Sequence, residues 1–183
     1  MRGKSHRTLG LYLSQQYMQD VPKHCVQAFL IGCIEPDRNP ITYLKGSIRC
    51  QWLRGHNYLN ARRFMRRISW RLENRASMNI WDYYTLGKLI HYTADAFTYA
   101  HNLDYPSNLA DHMEYEKALQ DHFLAYLQED PKVDTSIAKT TMEAIYTCHR
   151  QYEQSGACIF NDSRYALQAC CCVVALLLVK PLI

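Results

Sequence analysis

The chain has 183 residues, of which 48% are hydrophobic and 21% charged, and its formal net charge at pH 7 is +4. This composition excludes a disordered chain, and the modest charge does not by itself indicate a nucleic-acid-binding protein. Residues 1–6 are polar and no apolar run follows them, so we expect no secretory signal and a cytoplasmic protein with reduced cysteines. We expect one domain over residues 1–183.

Helical spacing of apolar residues dominates the chain, and alternating β-branched segments are absent. We predict helices at residues 8–19, 23–33, 57–77, 79–103, 109–128, 135–154 and 163–179. Residues 32–37 are predicted to form a turn between Gly32 and Pro36, and residues 38–55 an irregular loop. The predicted fold class is therefore all-α, a multi-helix bundle, and the cores of such bundles can hold metal ligands from facing helices.

The predicted helix at residues 57–77 is strongly basic on one side. Its arginines are Arg62, Arg63, Arg66, Arg67, Arg71 and Arg75. A solvated face is the simplest interpretation of such a charge run, and a surface that meets phosphates or a membrane is the alternative.

The last predicted helix is wholly apolar from Ala169 to Val179. This run is shorter than the roughly 20 residues that a membrane-spanning helix needs. We therefore predict a buried helix in the middle of the bundle rather than a membrane anchor. The three adjacent cysteines at positions 170–172 are interpreted as small buried hydrophobic residues, because no CxxC pair is present.

Two pairs of metal-binding side chains give the clearest functional signal. His91 and Asp95 are four residues apart, so a helix places both on one face. His112 and Glu116 repeat this spacing, and His101 lies between the two pairs. Imidazole and carboxylate ligands together suit zinc or a related divalent metal. Taken alone, either pair could be an ion pair on a helix surface; together these residues predict more than one bound ion.

Three further residues of metal-ligand type precede these pairs. His6 lies just before the first predicted helix, Asp37 ends the predicted turn, and His56 opens the basic helix. His24, His122 and His149 fit no such pattern, and we interpret them as ordinary surface or core histidines.

The order of these residues resembles the zinc-dependent phospholipases C of bacteria, whose fold is shared with single-strand-specific zinc nucleases. The family pattern is an early His, a Pro-Asp, a His opening a later helix, HxxxD, a His six residues beyond, and HxxxE or HxxxD. The matching residues are His6, Asp37, His56, His91, Asp95, His101, His112 and Glu116. The resemblance extends over residues 5 to 125.

The resemblance implies two or three zinc ions with divided ligands. The first ion would take Asp37, His56, His91 and Asp95, and the second His101, His112 and Glu116. Asp95 would bridge to a third ion that also takes His6. The family completes that third site with an N-terminal Trp, which is missing here. The alternatives for that position are the amine of Met1, water, a different ligand or no ion.

The resemblance also implies hydrolysis of a phosphodiester by a zinc-activated water, which Asp37 would orient as a catalytic residue. A phospholipid is the expected substrate, with transient contact to a membrane surface. Arg38, directly after Asp37, favours an anionic group over the choline head group. A nuclease or nucleotidase acting on nucleic acid is the second choice, motivated by the arginine-rich helix. A metal-stabilised protein without turnover is the third.

Overall fold

The computed structural model describes residues 1–44, 56, 58–99 and 109–179, and these residues form helices and no strands. The α-helices are α1 (Gly3–Tyr17), α2 (Lys23–Arg38), α3 (Tyr58–Glu73), α4 (Ile80–Asp95), α5 (Leu109–Gln128), α6 (Thr141–Ser155) and α7 (Ile159–Leu178). A 3-10 helix at Pro40–Leu44 follows α2. The all-α prediction is confirmed.

Helices α4 and α7 form the centre of the bundle. α4 packs against α1, α2, α3 and α7, and α7 packs against α1, α4, α5 and α6. The prediction of a buried apolar helix at the end of the chain is confirmed, because Cys170, Cys171 and Cys172 are at most 1% exposed. Within the described residues, no helix combines the length and the apolar character needed to cross a bilayer.

Two glycines allow α2 and α4 to cross at very short range. A Cβ atom on Gly32 would lie 2.1 Å from the carbonyl oxygen of Tyr84, and one on Gly87 would lie 2.1 Å from that of Phe29. No side chain larger than hydrogen fits at either position, so the two backbones touch directly. This contact brings the end of α2 beside the last turns of α4, where the candidate metal ligands lie.

Several predicted helix boundaries were wrong. The first helix begins at Gly3 rather than residue 8, so His6 lies inside it. The turn predicted at residues 32–37 is helical, because α2 continues through Pro36 to Arg38. The proline ring removes one backbone hydrogen bond, but the last turns are also held by the ion pair of 2.7 Å between Glu35 and Lys88 of α4 and by the Thr42 hydroxyl, which lies 2.6 Å from the Pro36 carbonyl oxygen. Asp37 is consequently a residue of the last turn of α2.

The boundaries of the later helices also differ from the prediction. α4 ends at Asp95 rather than residue 103 because the Thr98 hydroxyl and amide both donate to the Asp95 carbonyl. α6 begins at residue 141 after its N-cap Thr140, and α7 begins at residue 159 after its N-cap Cys158. In each case a side chain at the cap competes with the apolar periodicity that guided the prediction.

The start of α4 is fixed by a complete set of polar contacts. The Asn79 side chain accepts from the Asp82 amide, and the Asp82 side chain accepts from the Asn79 amide, which is a capping box. Arg71 of α3 donates to Asp82 at 2.7 Å, and Arg75 lies 3.5 Å away. These contacts tie the end of α3 to the beginning of α4.

Candidate metal centre

Four segments bring five of the predicted ligands together. His6 comes from α1, Asp37 from the last turn of α2, His56 from the residue before α3, and His91 and Asp95 from α4. The potential ligand atoms of His6, His91 and Asp95 all lie within 4.8 Å of one another, and so do those of Asp37, His56 and His91. His91 belongs to both groups and stands at the centre of the cluster.

The atoms around His91 Nε2 are close enough to share one ion. It lies 3.1 Å from His56 Nδ1, 3.2 Å from Asp95 Oδ2 and 3.6 Å from Asp37 Oδ1. His56 Nδ1 lies 3.0 Å from Asp95 Oδ2 and 3.8 Å from Asp37 Oδ1. His91 and Asp95 thus occupy one face of α4, as their spacing predicted.

Backbone geometry assigns the proton of His91. Its Nδ1 atom lies 2.9 Å from the carbonyl oxygen of Cys33 on α2. A carbonyl oxygen only accepts, so Nδ1 carries the proton and Nε2 presents a lone pair to the cluster. A histidine that donates its second ring N–H to a backbone carbonyl is the arrangement commonly found in metal ligands.

Thr42 of the 3-10 helix assigns the proton of His56 by the same logic. The Thr42 hydroxyl oxygen lies 2.6 Å from the Pro36 carbonyl oxygen, 2.7 Å from that of Asn39 and 3.1 Å from His56 Nε2. Its single proton goes to a carbonyl, so the hydroxyl oxygen must accept from His56 Nε2–H. His56 Nδ1 is then the lone-pair atom, and it is the atom that faces the cluster.

These assignments leave an electrostatic imbalance that a cation would remove. With neutral imidazoles, the facing atoms of Asp37, His56, His91 and Asp95 are all hydrogen-bond acceptors. The second oxygen of Asp37 is buried and has no hydrogen-bond partner among the described residues. Zinc is commonly bound by imidazole and carboxylate ligands together, so the described residues fit a zinc ion.

Asp95 directs its two oxygens to different groups. Its Oδ2 atom faces His56 and His91, whereas Oδ1 lies 3.1 Å from His6 Nε2 and 2.7 Å from the amino group of Met1. This is the geometry of a carboxylate that can bridge two positive centres.

The amino group of Met1 occupies the second of these centres. It also lies 3.3 Å from Glu116 Oε1, so it contacts two carboxylates. Burial opposes its charge, but Asp95 and Glu116 outweigh burial and raise the pKa of the Met1 amine to about 10. An ammonium group at this point balances negative charge at the position where the family resemblance implies a further ion.

His6 has the properties of a neutral ligand. Burial, followed by the neighbouring imidazole of His91, lowers the pKa of His6 to about 4, so the ring is uncharged at neutral pH. The ring stacks on that of His91 with 3.8 Å between centroids. Its Nε2 atom lies 3.1 Å from Asp95 Oδ1, and Nδ1 has no hydrogen-bond partner among the described residues. A buried ring nitrogen without a partner is costly unless something else binds it.

The second predicted pair is described only in part. α5 carries both His112 and Glu116 on regular helix, and the carboxylate of Glu116 reaches the Met1 amine. The His112 side chain and all of His101 lie outside the described residues. That His101 and His112 bind a second ion therefore stays a prediction.

Sequence reasoning missed two residues that hold the centre in place. One is Thr42, which lies in a segment predicted to be an irregular loop and belongs to no ligand pattern. The other is Asp162 in the first turn of α7, a buried carboxylate that accepts from the Tyr99 amide, the Tyr115 hydroxyl and the Tyr152 hydroxyl at 2.7–2.8 Å. It joins α5, α6 and α7 to the segment that follows Asp95, and no pattern in the sequence marks it.

Comparison with known proteins agrees with this geometry. A family model described as zinc dependent phospholipase C matches residues 6–159, which include every predicted ligand. No curated protein matches the chain. No solved structure matches it either. Because the family model extends over most of the sequence, the chain belongs to the zinc-dependent phospholipase C family.

Proposed function

We propose that the protein is a zinc-dependent phosphodiesterase that cleaves a phospholipid in the manner of a phospholipase C. The observation that carries this proposal is the convergence of acceptor atoms from Asp37, His56, His91 and Asp95, with both carboxylates 3.0–3.8 Å from the two imidazole nitrogens. Membership of the family supports both the metal and the substrate class.

The proposed ligands divide into an inner group and an outer group. Asp37, His56, His91 and Asp95 would hold one zinc. Asp95 would also bridge toward His6, and the remaining ligands would be His101, His112 and Glu116. Bound zinc supplies a positive charge that polarises a phosphodiester and lowers the pKa of water. The protein supplies fixed positions, through the Cys33 carbonyl and Thr42, for the imidazoles that would hold the metal.

Asp37 is the proposed catalytic residue. Its Oδ1 faces His56 and His91, while Oδ2 makes no hydrogen bond with the residues that the structure describes. Its side chain is 23% exposed, whereas those of His91 and Asp95 are fully buried. One oxygen is therefore placed to bind metal, and the other can accept a hydrogen bond from an attacking water.

The surroundings of Asp37 favour a substrate with an anionic group. Arg38 follows it on the exposed end of α2 and carries a charge that would repel a quaternary ammonium head group. We therefore propose an anionic phospholipid rather than phosphatidylcholine. Nuclease action is the second candidate, because the exposed arginines of α3 could also bind a nucleic-acid backbone.

The experiment that tests the proposal compares two histidine variants on three substrates. Zinc-loaded protein is assayed on phosphatidylglycerol, on phosphatidylcholine and on single-stranded DNA. We expect phosphatidylglycerol hydrolysis that His91→Ala abolishes and that His24→Ala, which alters an exposed histidine of α2, leaves unchanged. Cleavage of DNA alone would establish the nuclease. Bound zinc without turnover on any substrate would contradict an enzymatic role.

A further inference from the structure

The outward face of α3 combines positive charge with exposed apolar side chains. We call this surface the α3 face, and its exposed residues are Leu59, Arg62, Arg63, Arg66, Arg67, Trp70 and Arg71. Trp70 is 68% exposed. Tryptophan normally buries most of its area in a folded protein, so a side chain exposed to this extent on a regular helix indicates a surface that meets another phase or molecule.

A second exposed tryptophan adjoins the α3 face. Trp81, at the start of α4, is 70% exposed, and its neighbour Ile80 is 42% exposed. The ion pair of 2.7 Å between Arg71 and Asp82 places the sequence neighbours Trp70 and Trp81 at the same end of the α3–α4 pair. Aromatic and aliphatic side chains therefore extend the α3 face at the end remote from the metal centre.

Among the described residues, few carboxylates balance the positive charge of the α3 face. Arg71 and Arg75 form ion pairs with Asp82. Arg62, Arg66 and Arg67 form no ion pair with any residue that the structure describes. Their guanidinium groups are exposed and can bind phosphate groups by bidentate hydrogen bonds. An acidic surface would complement this face, whereas a neutral one would not.

We propose that the α3 face docks on the surface of an anionic lipid bilayer. Basic side chains near an anionic leaflet attract it, and tryptophan side chains settle at the boundary between head groups and hydrocarbon. Aliphatic side chains such as Leu59 and Ile80 suit hydrocarbon and have no flat surface on which a nucleic-acid base could stack. These residues favour a bilayer over single-stranded nucleic acid as the partner.

The direction of α3 explains what docking would accomplish. The helix begins two residues after His56 and is 16 residues long, so it is about 24 Å long and its face leads from the metal centre toward Trp70. A bilayer that lies along this face is held beside the metal centre. This part of the inference rests on the proposed phospholipase function; the docking itself does not.

Charge reversal on the α3 face tests the electrostatic part. Zinc-loaded protein is sedimented with vesicles of phosphatidylcholine alone and with vesicles that contain equal parts of phosphatidylglycerol. We expect binding to the anionic vesicles only, reduced at least tenfold in Arg62→Glu/Arg66→Glu. The matched control Lys117→Glu/Lys139→Glu makes the same change in net charge at exposed positions outside α3 and should bind almost as wild type.

Removal of the two tryptophans tests the apolar part. Brominated lipid in the anionic vesicles should quench the tryptophan fluorescence of wild-type protein on binding, and Trp70→Ala/Trp81→Ala should lose most of this quenching. Phe160→Ala removes an exposed aromatic side chain from α7 and serves as the control. Unchanged quenching in the double tryptophan variant would overturn the proposal.

The remaining outcomes separate docking from catalysis. Zinc content and hydrolysis of a monomeric short-chain phosphatidylglycerol are measured for every variant. Normal hydrolysis together with weakened vesicle binding in the arginine variant supports docking. Equal vesicle binding by the arginine variant and its lysine control overturns docking. Docking is also overturned if the arginine variant loses binding to a single-stranded oligonucleotide but keeps its binding to vesicles. Failure of wild type to hydrolyse the monomeric lipid would contradict the proposed function and leave the vesicle comparison to decide docking.

Discussion

The two ends of α4 each carry a fully buried aspartate, Asp82 at the beginning and Asp95 at the end. Asp82 lies in the first turn, where the helix dipole favours negative charge, and it accepts from the Asn79 amide and from Arg71. Burial opposes its ionisation, but these donors and Arg75 outweigh burial and keep the pKa of Asp82 below its usual value.

Asp95 occupies the opposite electrostatic position. It closes the last turn of α4, where the dipole disfavours a negative charge. Its neighbours are the imidazoles of His6, His56 and His91 and the Met1 amine, rather than arginines and a helix N-terminus. Asp82 is held by arginines and a backbone amide. Asp95 meets the Met1 ammonium group through Oδ1 and the nitrogens of His56 and His91 through Oδ2, and this second side suits a bound cation.

The largest difference is expected when each of the two aspartates is replaced by asparagine. Asp95→Asn should lower zinc affinity by more than the roughly 10–100-fold that is typical for partners of metal ligands, and should abolish hydrolysis. Asp82→Asn should retain zinc and activity but lower the free energy of unfolding by about 1–3 kcal/mol, because Arg71 and the Asn79 amide lose a charged acceptor. Zinc titration and urea unfolding measure the two effects. Similar zinc affinities in the two variants would contradict the division of roles.

The next effect concerns the helix crossing that assembles the centre. Gly87→Ala places a Cβ atom 2.1 Å from the Phe29 carbonyl oxygen, so α2 and α4 must separate. We expect a loss of about 2–3 kcal/mol in the free energy of unfolding, and weaker zinc binding because Asp37 and His91 move apart.

Gly10→Ala is the matched control for this crossing. Its added Cβ would meet the Cys33 sulfur at 3.1 Å, a contact with a side chain rather than a backbone. This variant should cost less than Gly87→Ala, because the Cys33 side chain can shift by a few tenths of an ångström whereas the Phe29 backbone cannot. The gain in helix propensity of about 1 kcal/mol is common to both variants. Equal loss of stability and of zinc affinity in both variants would show that the α2–α4 contact has no special role.

A smaller effect tests the proton assignment of His56. Thr42→Val removes the hydroxyl that accepts from His56 Nε2–H while preserving the side-chain shape. Zinc affinity should fall by about 10–100-fold. Thr42→Ser keeps the hydroxyl and should stay close to wild type. A drop of equal size in both variants would assign the effect to packing rather than to the hydrogen bond.

The last effect is a pH dependence at a third buried aspartate. Burial outweighs the three hydrogen bonds to Asp162 and raises the pKa of this carboxyl from 3.8 to about 6. The folded state then holds this proton more tightly than the unfolded state. The contribution of Asp162 to the free energy of unfolding is therefore greatest below about pH 4. This contribution, about 3 kcal/mol, is lost as the pH rises through about 6.

Asp162→Asn removes this titration while its amide can still accept from the Tyr99 amide and the Tyr115 hydroxyl. Urea unfolding of both proteins at several pH values measures the difference, in which the contribution of bound metal largely cancels. The stability of wild type relative to the variant should decline between about pH 4 and 6. A relative stability that rises over this interval would mean that the pKa of Asp162 is lowered instead.

The sequence predicts the features of the fold and of the site that depend on local patterns, but not those that depend on contacts between distant segments. Apolar periodicity predicted the helices, and the i, i+4 spacing placed His91 and Asp95 on one face of α4, because both signals are local. The extent of α2 through Pro36 could not be predicted, since the residues just before this proline contact Lys88 and His91 of α4, which are distant in sequence. The roles of Thr42 and Asp162 depend on contacts between distant segments, which no local pattern encodes.

Anomalous scattering at the zinc edge from crystals of the zinc-loaded protein would locate the metal directly. We expect a peak between His56, His91, Asp37 and Asp95, and its loss in crystals of His91→Ala. A protein that takes up no zinc, or a peak that lies away from these four side chains, would contradict this expectation.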